Sequence, residues 1–303
     1  MHSKKIMVLF GVLMMCFFLS ACGNGRATKL INEIELSLDH IETLTISYDD
    51  EDISFFESGS NKLIVKEYMS KDKKSYYAKV RQKDTSIYIS EGRKPVLKSG
   101  FTRYIEVYLP EDYSEKLEVD VTDGNIDMSD VELEMKSVRI DCTSGEVKSG
   151  KITAEDIYLS STSGELELAN LIGTRIFIET TQGNVACGKV KGDVVYTSTS
   201  GDAEFMSASG SGTYKAENSG KLSVVYKEVT GDLSLYNKND NVNLTLPQYL
   251  SFEFEANTKN GSIKTDFQDE LLVKEKSASG QVGNHPEVTV KAGTKNGNIE
   301  VKR

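Results

Sequence analysis

The chain has 303 residues, and its 46 acidic residues outnumber its 36 lysines and arginines, which leaves a formal net charge of −10. A surface of this charge repels polyphosphates, so we expect no nucleic-acid partner. The sequence contains only three histidines, so few residues are available for a histidine-based catalytic or metal site. It contains no tryptophan.

The N-terminus is typical of a secretory signal. Lys4 and Lys5 make it positive, and thirteen uncharged, mostly apolar residues follow from Ile6 to Phe18. This run is shorter than the roughly 18 apolar residues that a transmembrane helix needs. We therefore expect residues 1–21 to be a signal peptide that is removed.

The residues after the apolar run, Leu19-Ser20-Ala21-Cys22-Gly23, resemble the lipobox of bacterial lipoproteins. The resemblance implies cleavage before Cys22, a thioether-linked diacylglycerol on its sulfur, and retention at the outer face of the cytoplasmic membrane. Two acyl chains suffice for stable attachment, so the membrane becomes a partner through the anchor. Residues 22–43 would then be a lipid-anchored N-terminal segment. The alternative is an ordinary secreted protein in which a cysteine follows Ala21 by chance.

Two cysteines remain for the folded protein, because Cys16 lies in the signal and Cys22 would carry lipid. Cys142 and Cys187 fall where neighbouring repeats place small or apolar side chains. We expect both to be free thiols in the core, where cysteine behaves as a small hydrophobic residue. The alternative is a disulfide between them.

Residues 44–109 contain short stretches of β-branched and aromatic residues separated by charged turns, which predicts a β-rich N-terminal cap. One of these turns is the acidic run Asp49-Asp50-Glu51-Asp52. Several carboxylates in one place could bind Ca²⁺. A solvated turn between two strands is the simpler interpretation, and we adopt it.

From Asp123 to the C-terminus a turn signature recurs about every nineteen residues: a small or polar residue, a glycine, a polar residue and an aliphatic residue. Such a period is typical of stacked units, because each unit can bury its apolar face only against its neighbours. Asp replaces the glycine in one instance. The ten instances are centred on Gly124, Gly145, Gly164, Gly183, Gly201, Gly220, Asp240, Gly261, Gly280 and Gly297.

Alignment of the repeats on this glycine produces columns of like residues. The residue after the glycine is polar, and the next one is apolar in all ten repeats, as in a half-buried strand. A threonine column lies two positions before the glycine. The apolar column is Ile126, Val147, Leu166, Val185, Ala203, Leu222, Val242, Ile263, Val282 and Ile299, and the threonines are Thr122, Thr143, Thr162, Thr181 and Thr199.

These columns favour winding over a meander. In a solenoid each coil lies about 4.8 Å from the last, so the same residue type recurs at the same place. We therefore predict an all-β protein: a parallel β-helix, or β-solenoid, of roughly 19-residue two-strand coils over residues 110–303. An antiparallel meander that closes into a sandwich is the alternative.

The chain resembles the bacterial putative adhesin family of β-strand-repeat proteins. Three features carry the resemblance: the Ser/Thr-x-Gly-Asp/Glu/Asn-Val repeats, the Leu-Pro pairs at Leu109-Pro110 and Leu246-Pro247, and the closing run Gly293 to Val301. The resemblance extends over roughly residues 44–303. It implies a domain of unknown function with a fold similar to parallel β-helices, found in Gram-positive envelopes and, for some members, linked to envelope-stress operons. The family provides no catalytic residues to transfer.

Candidate catalytic residues are few. After residue 21 the histidines are His40 and His285, and neither lies near a nucleophile with an orienting carboxylate in the sequence. Polysaccharide lyases and hydrolases also use parallel β-helices, with charged side chains on an exposed face. The residues predicted to point outward on nearby coils are Glu165, Glu167, Asp202 and Glu204.

We therefore expect a non-catalytic protein with no cofactor and no metal ion. Its expected role is that of a lipid-anchored surface lipoprotein, an adhesin or envelope interaction module whose partner is a cell-envelope polymer or a protein. This role follows from the family resemblance, because a fold alone does not determine function. Two alternatives stay open: a carbohydrate-active β-helix enzyme acting on envelope glycans, and an accessory component of envelope-stress signalling.

Overall fold

The computed structural model describes residues 28–95 and 100–303, so the predicted signal peptide and Cys22 lie outside the described residues. The described chain is almost entirely β-structure, with one 3-10 turn at Lys74–Tyr76. None of its elements is a helix that is long and apolar enough to span a bilayer. The strands are β1 Lys29–Ser37, β2 Thr43–Tyr48, β3 Asp52–Ser58, β4 Lys62–Met69, β5 Lys79–Lys83, β6 Ser86–Ser90, β7 Arg103–Pro110, β8 Lys116–Val121, β9 Ile126–Met128, β10 Leu133–Cys142, β11 Val147–Ser161, β12 Leu166–Thr180, β13 Val185–Ser198, β14 Ala203–Ala216, β15 Leu222–Asn237, β16 Val242–Thr245, β17 Phe252–Thr258, β18 Ile263–Thr265, β19 Leu272–Val273, β20 Ser277–Val282, β21 Val288–Thr294 and β22 Ile299–Lys302.

Successive repeats pair in parallel and in register, which confirms the predicted winding. Val147 of β11 pairs with Leu166 of β12, Leu166 pairs with Val185 of β13, and Val185 pairs with Ala203 of β14. All four side chains are buried. The aliphatic column of the sequence is therefore a continuous row in the core, and the antiparallel meander does not form there.

Each layer of the stack contains one strand before the repeating turn and one strand after it. The long strands β11 to β15 provide the second strand of one layer and the first strand of the next. Eleven such layers stack within residues 28–95 and 100–303. Ten intervals of about 4.8 Å give a rod about 48 Å long.

The order of the layers along the rod differs from the order along the chain at both ends. The β2/β3 layer lies between the β6/β7 layer and the β8/β9 layer. The last segment of the chain, β21 and β22, inserts between the β15/β16 layer and the β17/β18 layer. The C-terminal strands are therefore internal to the stack.

Antiparallel strands close both ends. β5 pairs with β6, and β1 and β4 pair beside β7, at the N-terminal end. β20 pairs with β17 and β19 at the C-terminal end. The parallel stack thus includes β2, β3, β6 and β7 from residues 44–109. The division at residue 110 stays a prediction about domains, because the stack continues through it.

One predicted repeat is wrong. Gly280 lies inside β20, where it pairs with Phe254 in an antiparallel ladder, and does not form a turn between layers. Residues 266–276 leave the winding through a short turn in which the Leu271 N–H donates to the Phe267 carbonyl oxygen at 3.1 Å. Phe267 and Leu271 are buried in the core cluster, so this excursion covers its C-terminal end.

The core is one continuous cluster of buried side chains along the rod. Three buried aromatic rings form part of it. The ring centroids of Tyr196 and Phe205 are 5.5 Å apart and those of Phe205 and Tyr214 are 5.0 Å apart, in edge-to-face geometry. This geometry is the one that aromatic pairs prefer.

Candidate functional site

Short polar residues after several of the turn glycines join one layer to the next. Asn184 Oδ1 accepts a hydrogen bond from the Asp202 N–H at 2.9 Å, and Asp202 Oδ1 accepts one from the Lys221 N–H at 2.8 Å. Asn125 Oδ1 accepts one from the Glu146 N–H at 2.8 Å. Asn and Asp suit this position because a short side chain with an acceptor oxygen satisfies the backbone donor of the adjacent turn.

The four carboxylates considered for glycan hydrolysis are exposed, as predicted. In-register pairing places Glu167 and Glu204 on either side of Ala186, two layers apart. Asp202 is already bound to the Lys221 backbone, as described above. Glu165 Oε1 accepts a hydrogen bond from Asn184 Nδ2 at 3.3 Å. These four residues therefore lie along the rod surface, and two of them serve the hydrogen bonding between layers.

The two histidines lie at separate exposed turns. His40 follows β1 and His285 precedes β21, and their φ values are 64° and 50°. A positive φ is uncommon outside glycine and is typical of tight turns, in which histidine is one of the enriched residues. The structure brings neither histidine to the other or to the four outward carboxylates.

Cys142 and Cys187 are free and buried, as predicted. Burial raises the pKa of the Cys142 thiol to about 11 and that of Cys187 to about 12. The thiolate is the nucleophile in cysteine chemistry, so these thiols are unreactive at neutral pH. Both cysteines therefore serve the packing of the core.

The acidic run between β2 and β3 is an additional copy of the repeating turn, with Glu51 at the position of the glycine. Ile53 pairs with Ile126, which lies two residues after Gly124, and Asp52 Oδ1 accepts a hydrogen bond from the Asn125 N–H at 2.9 Å. The prediction of a solvated turn is wrong for Glu51, whose side chain is buried. The sequence pattern missed this copy because the glycine is absent.

Two cations, Arg103 and Lys94, form ion pairs with the carboxylates at this turn. Glu51 Oε1 accepts hydrogen bonds from Arg103 Nε at 3.0 Å and Nη2 at 2.7 Å, and Nη2 also donates to Glu91 Oε2 at 3.0 Å. Lys94 Nζ lies 3.3 Å from Glu51 and 2.9 Å from Glu91, and it also contacts Asp50. Asp50, Glu51 and Glu91 are close enough together to hold a metal ion. Because the Lys94 ammonium lies among these three carboxylates, an ion pair network explains the cluster without Ca²⁺.

A second buried carboxylate, Glu67 of β4, adjoins the network. Glu67 Oε2 accepts hydrogen bonds from Asn32 Nδ2 at 2.8 Å and from the Ala78 N–H at 2.7 Å. Burial raises the pKa of Glu67, and the hydrogen bonds from Ala78 and Asn32 and the charge of Arg103 oppose the shift. The network joins β1, β4 and β7 to the segment before β5, so its role is to hold the N-terminal end together.

A row of exposed and half-buried side chains crosses four adjacent layers in the middle of the rod. Arg139, Tyr158, Phe177 and Val195 occupy the same register position on β10, β11, β12 and β13. The Phe177 side chain is 37% exposed. The Arg139 guanidinium carbon lies 4.0 Å from the Tyr158 ring centroid, in cation–π geometry. We call these four residues the aromatic row; their types differ from repeat to repeat, so no sequence column revealed them.

Fixed polar groups flank the aromatic row. Asp141 accepts two hydrogen bonds from Arg139, from Nε at 2.6 Å and Nη2 at 3.1 Å. The Tyr158 hydroxyl donates to Glu179 Oε2 at 3.2 Å. A firm apolar strip with oriented polar groups beside it is the composition found in protein binding surfaces, in which Tyr and Arg are enriched.

A second aromatic surface lies on β4 and β7. The rings of Tyr68 and Tyr104 stack with centroids 4.5 Å apart and an interplanar angle of 3°. Glu106 Oε2 accepts hydrogen bonds from the hydroxyls of Tyr68 and Tyr108, both at 2.9 Å. Burial and the Glu106 carboxylate raise the pKa of Tyr108 to about 12, which keeps its hydroxyl a donor. This cluster was also missed, because its members come from strands that pair across 38 residues of sequence.

The comparison with protein families finds a match over most of the chain. The family model Toastrack DUF4097 matches residues 41–302, which include every layer of the stack. The chain belongs to the Toastrack DUF4097 family. This result confirms the resemblance found in the glycine repeats and the closing Gly293 to Val301 run.

Solved structures similar to this Toastrack chain include a putative cell adhesion protein and two putative adhesins. One is a putative cell adhesion protein from Clostridium sporogenes, with 11% identity and a TM-score of 0.34 over 91% of this chain and 99% of that one. The second is a putative adhesin from Bacteroides fragilis, with 12% identity and a TM-score of 0.35 over 92% and 100%. The third is a putative adhesin from Parabacteroides merdae, with 11% identity and a TM-score of 0.30 over 89% and 95%. No curated protein matches the chain.

Proposed function

We propose that this Toastrack protein is a non-catalytic surface lipoprotein that acts as an adhesin or envelope interaction module. The observation that carries the proposal is the aromatic row, which lies in register on four layers of a continuous stack. Rigid aromatic side chains bind a partner with little loss of conformational entropy, and central rings contribute most to such interfaces. The candidate hydrolytic carboxylates, by contrast, lie along the surface and in part serve the stack.

The anchoring part of the proposal is supported by sequence. Cys22 follows the lipobox-like residues Leu19 to Ala21, and the first described residue, Thr28, comes six positions later. A diacylglyceryl group on Cys22 would hold the rod at the outer face of the cytoplasmic membrane, where its aromatic row meets envelope polymers and proteins.

The binding role is tested with the mature chain, residues 22–303, carrying Cys22→Ser so that no lipid is attached. It is incubated with purified peptidoglycan, teichoic acid and intact cells, and both retention of the protein and release of soluble products are measured. We expect retention without product release. Phe177→Ser should weaken retention about tenfold, because loss of a central aromatic residue costs more than about 1 kcal/mol.

The matched control is Tyr249→Ser, since Tyr249 is 92% exposed and lies in the loop after β16. Retention of this variant should equal that of the unmodified chain. Equal losses in Phe177→Ser and Tyr249→Ser would contradict a role for the aromatic row, and steady release of glycan fragments would favour the enzyme alternative.

The anchor is tested by labelling cells with a palmitate analogue. The unmodified chain should take up label and Cys22→Ala should not. Cys16→Ala, which alters the other cysteine of the N-terminal region, is the control and should keep its label. Label on Cys22→Ala would remove the lipoprotein proposal.

A further inference from the structure

We propose that the N-terminal end of the stack binds the surface of an anionic phospholipid bilayer. The proposal concerns residues 62–83, which we call the basic end. This segment contains eight lysines and arginines and two acidic residues, although the whole chain is acidic. It rests on the proposed lipid anchor for its biological setting, but its binding chemistry can be tested without that anchor.

The positive charges of the basic end are available to a partner. Six of them follow Met69, and none forms an ion pair with a residue that the structure describes. Every residue of β5 is exposed. β5 pairs with β6 and is the outermost strand on that side of the stack. The six are Lys71, Lys73, Lys74, Lys79, Arg81 and Lys83.

The two acidic residues offset this charge only in part. Glu67 is fully buried and bound to Asn32 and to the Ala78 N–H, so it does not face the partner. Asp72 is exposed and accepts a hydrogen bond from the Tyr77 hydroxyl at 2.6 Å. The outward surface of the basic end therefore carries a clear excess of positive charge, which complements anionic lipid headgroups.

Apolar groups lie beside the charges. Tyr88, which pairs with Arg81, is 37% exposed on the outer side of the sheet, and Val80, which pairs with the buried Ile89, is 38% exposed on the opposite side of β5. The Arg81 guanidinium lies 6.0 Å from the Tyr88 ring centroid. Lys, Arg and Tyr combine an apolar body with a polar tip, and they concentrate at the boundary between water and lipid for that reason.

The path of the chain places the basic end next to the proposed anchor. Lys29 pairs with Met69 in the β1–β4 ladder, so the start of the described chain adjoins the start of the six-residue basic group. Six residues from Cys22 to Thr28 reach about 20 Å when fully extended. A lipid on Cys22 would therefore bring the basic end to the membrane surface, where each positive charge strengthens binding about fivefold.

This contact would orient the rod. β1 and β5 are the outermost strands at this end, and the aromatic row begins three layers beyond the β6/β7 layer. Along the rod, the layers that carry the aromatic row lie about 14–29 Å from the β6/β7 layer. The anchor and the basic end thus provide two attachments, which is the usual requirement for stable membrane binding.

The test uses the mature chain with Cys22→Ser and vesicles of phosphatidylcholine, with or without 30% phosphatidylglycerol. Sedimentation at about 0.1 M NaCl should show binding only to vesicles that contain phosphatidylglycerol, and about 0.5 M NaCl should weaken it because salt screens the attraction. The triple variant Lys73→Gln, Lys74→Gln and Lys79→Gln should bind about a hundredfold more weakly.

The control triple variant makes the same charge change at the opposite end of the rod: Lys259→Gln, Lys291→Gln and Lys295→Gln. This variant should bind the vesicles as tightly as the unmodified chain does. A cooperative thermal unfolding transition in each triple variant shows that both variants are folded. Equal binding to the two kinds of vesicle, or equal weakening of the two triples, would overturn the proposal. Binding to soluble poly(glycerol phosphate) without binding to vesicles would overturn it in favour of an anionic polymer. Because the chain carries no lipid, these outcomes are independent of the Cys22 labelling result.

Discussion

The guanidinium of Arg103 lies 4.0 Å from the carboxylate of Glu67, and both side chains are fully buried. Arg103 also binds Glu51 and Glu91, so one cation faces three carboxylates, with Lys94 as a second cation beside them. Buried charges of this kind persist only when they are paired and hydrogen-bonded. The cluster therefore concerns the stability of the N-terminal end of the rod.

Arg103→Leu should lower the free energy of unfolding by about 3–5 kcal/mol, because the buried Glu67 would lose its cation and Glu51 would keep Lys94 alone. Urea denaturation measures the loss. The control is Arg175→Leu, which removes a surface ion pair with Asp156 whose Nε to Oδ1 distance is 2.6 Å. Surface pairs contribute about 1 kcal/mol or less. Similar losses in the two variants would show that the Arg103 cluster is not buried as described.

The pH dependence of stability should report the raised pKa of Glu67. A carboxyl group whose pKa is higher in the folded state binds more protons there than in the unfolded chain. Its contribution to stability is therefore present below the ordinary glutamate pKa and is lost as the pH rises through the raised value. Glu67→Gln keeps an acceptor for the Ala78 N–H and removes the titration. Between pH 4.5 and pH 8, the unmodified chain should lose more stability than the variant; parallel curves would contradict the assignment.

The two faces of a strand can be compared with adjacent substitutions. Val185 is buried in the aliphatic row, and Ala186 is exposed on the same strand. Val185→Asp should lower the free energy of unfolding by about 3 kcal/mol or more, since it buries an unpaired carboxylate. Ala186→Asn adds a polar side chain of the same size on the outer side, without a like charge beside Glu167 and Glu204, and should change the free energy by about 0.5 kcal/mol or less. Equal effects would mean that the row does not face the core.

The close stacking of turns can be tested at Gly164. A Cβ atom there would lie 1.7 Å from the Gly145 carbonyl oxygen, although the Gly164 backbone is not in the left-handed region. Gly164→Ala should therefore cost about 1–3 kcal/mol, because adjacent turns must move apart. Gly59→Ala, in the loop between β3 and β4, would meet nothing within 4 Å and should cost no more than about 0.5 kcal/mol. Chemical denaturation of the two variants gives the comparison.

The winding and its coil residues could be predicted from sequence. A parallel stack in register repeats one local environment every layer, so Leu166 and Val185 are alike because both occupy the same place in the core. The glycines of the turns follow the same logic, since Gly164 and Gly183 each approach the carbonyl oxygen of the preceding turn. Because each layer places the same demand on the same position, like residues recur at a fixed spacing and can be recognised in a single sequence. Gly280 fits the column by sequence, but pairing with β17 decides its antiparallel place.

The sequence by itself determined the fold class, the aliphatic row and the cysteines of the core, because these depend on a pattern that recurs from layer to layer. Only the tertiary structure decided the insertion of β21 and β22 between earlier layers, the burial of Glu51 against Arg103 and the assembly of the aromatic row. Each of these depends on a single pairing between distant or dissimilar residues, such as the 52 positions that separate Glu51 from Arg103. A contact that occurs once has no second copy in the chain from which it could be recognised.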